Sequence, residues 1–476
     1  MASFSESALA LDLGSTRIKL ASWSTQAGLQ VLESLPAPAS QQQGLSCTSD
    51  PGAWLAAASL LVSRHARAGW PLGIASQRSS FVLWERASGK ALTPLISWQD
   101  RSAADWCLRH RERESAIWRA SGLPLSPHYA GPKLAHLLEA DPRLAARARQ
   151  GEVLFGTLDV YLAWNWSRKA RFCIDGTQAA RTLLADPARG EWSAAWLDWF
   201  NIPRGVLPAI VTSQNQRWEL DSGLILTASV ADQPAAVLAA LAARTDRALM
   251  NFGTGGFVLR PTGSVRRPLE RYLCGPILAG PTGLWALEGT INGGGGTLDE
   301  ILGPIPDQSA PDRHASQATS RDPLAECFAR PDASGLGAPY WRAELGLLFS
   351  KPALSCSSAE RARVFLEGLA FRACAIARDL EHSTALTAYL VSGGLAHHAH
   401  HAHLVRCLSA CLARPVCVLE DSESTLQGAA LLAAGVDPTS DAWPSSSLGR
   451  LVEPDPNDAW IAAKFQRWQA WLAAGL

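Results

Sequence analysis

The chain has 476 residues, more than the roughly 250 to 300 that one hydrophobic core usually supports, so two domains are expected. Apolar residues make up 47% and charged residues 18%, a globular composition that excludes intrinsic disorder. Lys plus Arg and Asp plus Glu both number 43, so no net charge attracts a polyanion, and no nucleic acid partner is expected.

Cysteine spacing and hydropathy indicate the compartment. The ten cysteines include no C-x-x-C pair, which argues against zinc or redox sites and favours reduced, buried thiols. Residues 1–8 carry no basic-then-apolar signal, and the most apolar long window, 224–243, is interrupted by Asp232 and Gln233. We expect a cytoplasmic protein with no membrane partner.

The first predicted element is a strand hairpin over residues 9–23. An apolar run ends at Asp12, a turn of Gly14, Ser15 and Thr16 follows, and a second apolar run completes the hairpin. Glycine lets backbone approach a ligand, hydroxyl and turn N–H groups donate to phosphate oxygens, and a carboxylate can hold Mg²⁺. The pattern predicts a nucleotide-phosphate site, although ordinary hairpin turns favour the same residue types.

Helices and strands alternate after this hairpin. Residues 50–68 predict an Ala/Leu-rich helix, residues 73–84 a strand and turn, and residues 233–243 another helix. This mixture is typical of an α/β fold.

A second hairpin is predicted over residues 248–259, again with a Gly/Thr turn that includes Gly253 and Thr254. One such hairpin opens each half of the chain, which is what a duplicated fold would produce. We therefore predict a boundary near residue 245 and two domains, 1–245 and 246–476.

The remaining elements belong to the second half. Residues 304–333 are polar and poor in periodicity, which predicts a mobile surface insertion. Residues 458–476 predict a terminal amphipathic helix with Asp458 as its N-cap and an apolar stripe used in core packing. Two further helices and a strand that ends in a Gly-Gly turn are predicted over residues 359–381, 403–412 and 390–394.

Five histidines lie between residues 397 and 403. On a helix start their spacing would place His397, His400 and His401 on one face, which can bind a transition metal. A solvated loop in partial contact with a nucleotide is the favoured alternative, because ring nitrogens bind metals only with suitable geometry and a supporting shell.

Together these motifs resemble the FGGY carbohydrate kinases, a branch of the actin, hexokinase and sugar-kinase superfamily. The resemblance runs from about residue 8 to about residue 436. Its motifs occupy, in chain order, residues 12–19, 73–80, 96–101, 156–164, 175–182, 231–233, 253–255, 393–394 and 423–430, with a looser match at 334–341.

The resemblance implies an α/β fold of two actin-like, ribonuclease H-like domains, each a mixed β-sheet flanked by helices, with an interdomain cleft. It implies ATP-dependent phosphorylation of a hydroxyl group on a small sugar or polyol, with Mg²⁺. The first domain would bind mainly the sugar and the second mainly ATP. Homodimers are common in the family, so a homodimer is an open alternative to a monomer.

The resemblance also implies roles for individual residues. Asp232 would be the general base, which a sugar hydroxyl needs because it is too weak an acid to ionise at neutral pH; the same residue also fits a helix start. Asp12 would organise Mg²⁺. The acceptor would contact Gln77, Arg78, Ser79, Trp98, His128, Gln233 and Phe257. ATP would contact Gly14, Ser15, Thr16, Lys19, Gly253, Thr254, Gly295, Gly393, Gly394 and His398, although glycines at the last positions also suit simple helix entries.

Four departures from the family pattern bear on substrate and activity. Glycerol kinases carry Glu where this chain has Ser79 and Tyr where it has His128, so the pocket loses an acceptor group and gains room. Ala231 replaces a Gly beside the base, which is costly only if φ there is positive. His398 falls where the family has Asn near adenine. We expect a small polyol or ketose, with acceptors larger than glycerol included; the xylulose-kinase Met-His pair after Gln is absent.

These departures leave a second hypothesis open, a catalytically weak, kinase-like sugar-binding sensor. The retained phosphate, base and second-hairpin residues favour a working enzyme. A filament-forming or chaperone ATPase would not require the acceptor motifs around Arg78, Trp98 and Asp232.

Overall fold

The structure is a computed structural model that describes residues 5–253, 255–303, 323–381, 385–397, 402–420, 423–444 and 448–476, without the side chains of His397 and Leu448. None of the helices in these ranges is long and apolar enough to cross a membrane.

Strands and helices alternate through the first half. Its strands are β1 (Ser7–Leu13), β2 (Arg17–Ser24), β3 (Gly28–Pro36), β4 (Gln41–Gln43), β5 (Ser46–Ser49), β6 (Pro71–Ser76), β7 (Phe81–Glu85), β8 (Leu95–Ile96), β9 (Val153–Thr157), β10 (Cys173–Asp175), β11 (Ala185–Asp186), β12 (Glu191–Trp192), β13 (Ala209–Val211), β14 (Trp218–Glu219) and β15 (Ile225–Ala231). Its helices are α1 (Pro51–His65), α2 (Ala104–Arg109), α3 (Glu114–Ser121), α4 (Ala130–Ala140), α5 (Pro142–Arg149), α6 (Leu158–Trp166), α7 (Gly176–Ala180), α8 (Ala194–Phe200) and α9 (Asp232–Leu241), with 3-10 turns at Arg111–Arg113 and Arg204–Val206.

The second half repeats this mixture. Its strands are β16 (Arg247–Phe252), β17 (Gly256–Gly263), β18 (Leu273–Leu278), β19 (Leu284–Ile291), β20 (Ala329–Arg330), β21 (Leu348–Phe349), β22 (Ala388–Ser392), β23 (Val416–Leu419) and β24 (Leu448–Val452). Its helices are α10 (Gly295–Leu302), α11 (Lys351–Leu354), α12 (Ser358–Leu380), α13 (Gly394–His397), α14 (Ala402–Leu412), α15 (Ser424–Ala434) and α16 (Ala459–Ala474), with a 3-10 turn at Pro456–Asp458.

The main sheets of the two halves share one topology. The first has the order β14-β15-β6-β1-β2-β3, and the second has β24-β23-β22-β16-β17-β19 with β18 added at its edge. In each, a hairpin (β1–β2 or β16–β17) opens the half, its first strand pairs in parallel with a later strand, and that strand pairs in parallel with the next. The predicted α/β fold of two mixed sheets flanked by helices is confirmed; the boundary at residue 245 stays a prediction.

Helices α9 and α15 lie between the two sheets. One core cluster joins apolar residues of β1, β15 and α9 to residues of β16, β22 and α15. A Cβ added at Gly428 of α15 would clash with the carbonyl oxygen of Ala235 in α9, so glycine is required for this close approach. The Thr227 hydroxyl in β15 donates to the Ala433 carbonyl at 2.8 Å. This packing fixes the start of α9 and the start of α15 at the end of the first sheet.

Several sequence predictions need correction. The helix predicted over 50–68 ends at His65, because Ala66 adopts an extended backbone. The C-terminal end of the predicted surface insertion is wrong: Asp332 is fully buried and pairs with Arg372 at 3.0 Å, while residues 304–322 lie outside the described part of the chain. Asp458 precedes α16 but caps nothing with its side chain, since Arg406 binds its carboxylate.

The ten cysteines are all free thiols, and all except Cys356 are buried. This agrees with their predicted role as small apolar side chains in the core.

Candidate active site

The predicted phosphate turn lies between β1 and β2, at the end of the first sheet. Asp12 lies next to the last residue of β1 and pairs with Lys19 of β2 across the hairpin. The Lys19 ammonium donates to both carboxylate oxygens of Glu423, at 2.6 and 2.8 Å. Burial, with the nearby charge of Asp232, raises the pKa of Asp12 to about 7 although Lys19 opposes the shift. Lys19 therefore faces two carboxylates, those of Asp12 and Glu423, while Asp232 adds negative charge near Asp12.

Asp232 is the first residue of α9, directly after β15. The preceding residue, Ala231, has φ of −69°, so the methyl group in place of the family's glycine costs nothing here. The Ala231 N–H donates to the Thr177 hydroxyl at 2.9 Å, and that hydroxyl donates to Asp175. This chain of bonds fixes the strand end that carries Asp232. Burial raises the pKa of the Asp232 carboxyl, and Arg78 opposes the shift.

Arg78 connects Asp232 to the other half of the molecule. Its Nε lies 3.8 Å from Asp232 Oδ1. Its Nη1 and Nη2 donate to Glu288 of β19 at 3.0 and 3.2 Å, a bidentate pair, and Arg181 binds the same carboxylate. Two arginines of the first half thus surround one carboxylate of the second half.

Trp98 and His128 form an aromatic wall beside the phosphate turn. The Trp98 indole N–H donates to Ser15 Oγ at 3.0 Å, and the ring centres of Trp98 and His128 are 5.7 Å apart. Burial, with the charges of Lys133 and Arg78, lowers the pKa of His128 to about 3. The imidazole is therefore neutral and offers one donor and one acceptor.

The remaining predicted acceptor residues divide into two groups. Gln77 and Ser79 are buried; Gln77 Oε1 accepts from the Ser80 hydroxyl at 2.8 Å, and the Ser79 hydroxyl points to the Arg181 carbonyl at 3.4 Å. Gln233 and Phe257 are partly exposed. In this structure Gln77 and Ser79 therefore support the pocket wall from behind, and Gln233 and Phe257 remain accessible to a ligand.

Lys133 of α4 holds two loops of the pocket. Its Nζ is buried and donates to the carbonyl oxygens of Ser79, at 3.2 Å, and Ser97, at 2.7 Å. Ser79 adopts φ of 65°, a left-handed conformation that is unfavourable for serine. Lys133 thus fixes a strained residue next to Arg78 and the residue before Trp98.

The predicted nucleotide glycines converge at the second hairpin. The Gly295 N–H at the start of α10 donates to the Gly253 carbonyl at 2.9 Å. Gly393 has φ of 96°, and a Cβ there would clash with the backbone of Phe252, which precedes Gly253. Gly394 begins α13. Two helix starts therefore lie beside this turn; Thr254 and His398 are outside the described residues.

The side chains predicted to share a metal-binding face, those of His397, His400 and His401, lie outside what the structure describes, so this site stays a prediction. Among the described residues, no cluster of three or more His, Cys, Asp or Glu side chains suits a metal ion. His403 Nε2 lies 2.8 Å from Glu367, which also pairs with Lys464. His403 thus has a structural partner, while residues 398–401 lie outside the described ranges.

Sequence reasoning assigned no role to four side chains of this site: Arg181, Lys133, Glu288 and Glu423. Arg181 and Glu423 lie within the matched motifs 175–182 and 423–430, whereas Lys133 and Glu288 lie outside all of the matched motifs. A signal was available for Glu288, which is the single charged residue in the apolar strand β19. A charged residue within such a run needs a buried partner.

Known proteins match the chain along most of its length. Residues 7–231 match the N-terminal domain of the FGGY family of carbohydrate kinases, and residues 248–435 match the C-terminal domain of that family. A glycerol kinase of Acinetobacter baylyi is 32% identical over 403 residues, 80% of each chain.

Solved structures share the fold. A ligand-bound xylulose kinase from Lactobacillus acidophilus has a TM-score of 0.84 at 18% identity and covers 98% of each chain. A glycerol kinase of Plasmodium falciparum with ADP has a TM-score of 0.80 at 19% identity, covering 99% of this chain and 98% of its own.

Proposed function

Because the chain belongs to the FGGY family of carbohydrate kinases, we propose that it transfers the γ-phosphoryl group of ATP to a hydroxyl of a small polyol or ketose, with Asp232 as the general base. The observation that carries the proposal is the position of the Asp232 carboxylate. It begins α9, lies 3.8 Å from Arg78 and is close enough to Asp12 for their charges to interact.

Asp232 would accept the proton of the attacking hydroxyl. A hydroxyl is a poor nucleophile until a positioned base removes its proton in the transition state. Burial raises the pKa of Asp232, which strengthens it as a base, while the positive charge of Arg78 opposes the shift and favours the ionised form. The fixed end of β15 holds the carboxylate in place, so the acceptor hydroxyl rather than the base would move into position.

The residues of the phosphate turn fit a magnesium ion. Burial raises the pKa of Asp12 most, and the negative charges of Asp232 and Glu423 add to the shift, which Lys19 only partly opposes. Mg²⁺ is held in kinases by one or two carboxylates together with substrate phosphates and water. Asp12 would hold the ion. When bound, Mg²⁺ neutralises charge on the β- and γ-phosphates.

The nucleotide would lie between the two hairpins. Gly14, Ser15 and Thr16 form the first turn, and Lys19 would exchange Glu423 for phosphate oxygens as ATP binds. The backbone around Gly253 would contact the phosphates from the other hairpin, together with Thr254. Gly295, Gly393 and Gly394 would contact ATP at the helix starts, and His398 near the base.

The acceptor would bind against Trp98, His128, Gln233 and Phe257, beside Arg78, whose two outer nitrogens Glu288 holds. Neutral His128 can bond a hydroxyl as donor or acceptor. Ser79 is small and buried, so it leaves room for an acceptor longer than glycerol.

The test is ADP release from Mg·ATP with glycerol, tetritols, pentitols, ketopentoses and ketohexoses. Replacing Asp232 by Asn should lower kcat by about 10³-fold, because general-base contributions are typically 10² to 10⁴. The melting temperature and ATP affinity should stay unchanged. Turnover that survives in Asp232→Asn would assign the base elsewhere. No turnover on any acceptor, with ligand-induced thermal shifts, would favour the sensor.

A further inference from the structure

Two arginines of the acceptor pocket are neutralised by one carboxylate from the opposite half. Glu288 accepts hydrogen bonds from both outer nitrogens of Arg78 and also pairs with Arg181. The Glu288 side chain is 8% exposed. Bidentate guanidinium–carboxylate pairs are among the strongest polar contacts in proteins, and burial strengthens them. The arginines are therefore occupied before any acceptor arrives.

The loop that carries Arg78 offers no acid of its own. Residues 77–80 contain no Asp or Glu, so the balancing charges come from Asp232 and Glu288. Two guanidinium groups thus face two carboxyl groups in this set. The nearby Lys133 ammonium points to the backbone carbonyls of Ser79 and Ser97.

There is little space beside this charge set. A cavity bordered by Arg78, Arg181 and Glu288 measures about 20 Å³, room for about one water molecule. Its other walls include five residues of β18, Leu273 to Ile277, and Pro234 near the start of α9. An acceptor carboxylate could bind the arginines only by displacing Glu288, which would leave that charge buried and unpaired.

We propose that Glu288 makes the acceptor pocket selective for uncharged polyols and ketoses over carboxylate-bearing polyols by occupying Arg78 and Arg181. The proposal rests on the proposed kinase function. Specificity of this kind comes from a built-in penalty against the wrong substrate as much as from contacts to the right one. Glu288 would act as a specificity-determining residue that also orients Arg78.

The experiment compares kcat/KM for glycerol, a ketopentose and gluconate in the full-length protein and in Glu288→Gln. Glutamine keeps the size of the side chain and removes its charge. The variant should lose about tenfold in kcat/KM for the neutral acceptors, and its gluconate-to-neutral ratio should rise by tenfold or more, because a freed arginine pair binds carboxylate. An equal loss for all acceptors, or a wild-type preference for gluconate, would overturn the proposal.

Glu381→Gln is the matched control. Glu381 also accepts a hydrogen bond from one arginine, Arg414, at 2.8 Å, but it follows the last residue of α12, and its other partners are Tyr389 and the Leu386 N–H. The gluconate-to-neutral ratio of kcat/KM in Glu381→Gln should equal that of the wild type. A shift of similar size in this control would also count against Glu288.

Arg181→Met is the alternative test variant if Glu288→Gln does not fold. This variant leaves Glu288 on Arg78 and removes one positive charge, so the preference for neutral acceptors should increase. A shift toward gluconate would contradict the assignment.

Binding separates this inference from the proposed function. If the wild type turns over no acceptor, the kinase proposal fails, and calorimetric affinities for glycerol and gluconate then test Glu288 alone. Tighter gluconate binding in Glu288→Gln than in the wild type supports the selectivity role, and equal affinity refutes it.

Discussion

The proposed acceptor side and the proposed nucleotide side of the site are built differently. Around the acceptor, charged side chains hold one another or the backbone: Arg78 is bound by Glu288, and Lys133 by two carbonyls. On the nucleotide side, closely packed backbone holds the segments together: the Gly295 N–H donates a hydrogen bond to the Gly253 carbonyl, and Gly393 packs against the backbone of Phe252. Charged side chains would therefore control which acceptor binds, whereas glycines, which lack a Cβ, allow the close backbone approach at the proposed nucleotide turn.

The largest expected effect tests the nucleotide side. Gly393→Ala should lower the free energy of unfolding by about 3 kcal/mol, because the new Cβ meets φ of 96° and the Phe252 backbone. Chemical unfolding measures this difference. Gly394→Ala is the control, since a Cβ there meets no atom within 4 Å and alanine suits the helix that begins at this residue. Equal stability of the two variants would contradict the close-packing argument.

The second prediction tests the acceptor side. Lys133→Met should raise the KM for the acceptor about tenfold and leave the KM for ATP within about twofold, because the loops of Ser79 and Ser97 lose their shared donor. Steady-state kinetics with each substrate varied in turn gives both values.

Lys169→Met provides the comparison for that variant. Its Nζ also donates to a carbonyl, that of Ala87 at 2.6 Å, but on the exposed surface. It should leave both constants unchanged. A parallel rise in the KM for ATP in Lys133→Met would show that Lys133 supports the whole site rather than the acceptor loops.

The smallest effect is a pH dependence at the phosphate turn. The folded protein holds the Asp12 proton up to about pH 7, whereas the unfolded chain releases it near pH 3.8, so this stabilisation is complete below about pH 4 and lost as pH rises to about 7. Asp12→Asn does not titrate. Without nucleotide or divalent cations, its stability relative to the wild type should rise by about 1 kcal/mol between pH 5 and 8, a modest amount because solvent screens this partly exposed carboxylate.

Asp246→Asn sharpens that measurement. The hydrogen bond from Arg244 lowers the pKa of Asp246, so this group stays ionised from pH 5 to 8. The difference between Asp246→Asn and the wild type should be constant over that range. Urea unfolding at each pH gives both differences, and a flat profile for Asp12→Asn would contradict the assigned shift.

The sequence predicted what depends on neighbouring residues. Both Gly hairpins and the helix predicted over residues 233–243 follow from local apolar patterns and turn residues; the structure contains both hairpins, and the helix spans Asp232–Leu241. The Arg78–Glu288 pair joins residues 210 positions apart, and no local pattern specifies it. Asp458 shows the same limit: its sequence context favours an N-cap, but tertiary packing brings Arg406 to its carboxylate.

The position of helix α15 has a consequence for synthesis. This helix covers the first sheet, yet Ala433 comes 206 residues after its partner Thr227. At about 5 to 20 residues per second, roughly 10 to 40 s separate the two on the ribosome. During that interval the apolar face of the nearly complete first sheet is exposed, because its covering helix has not been synthesised. We therefore expect the nascent first half to bind chaperones that recognise exposed apolar segments.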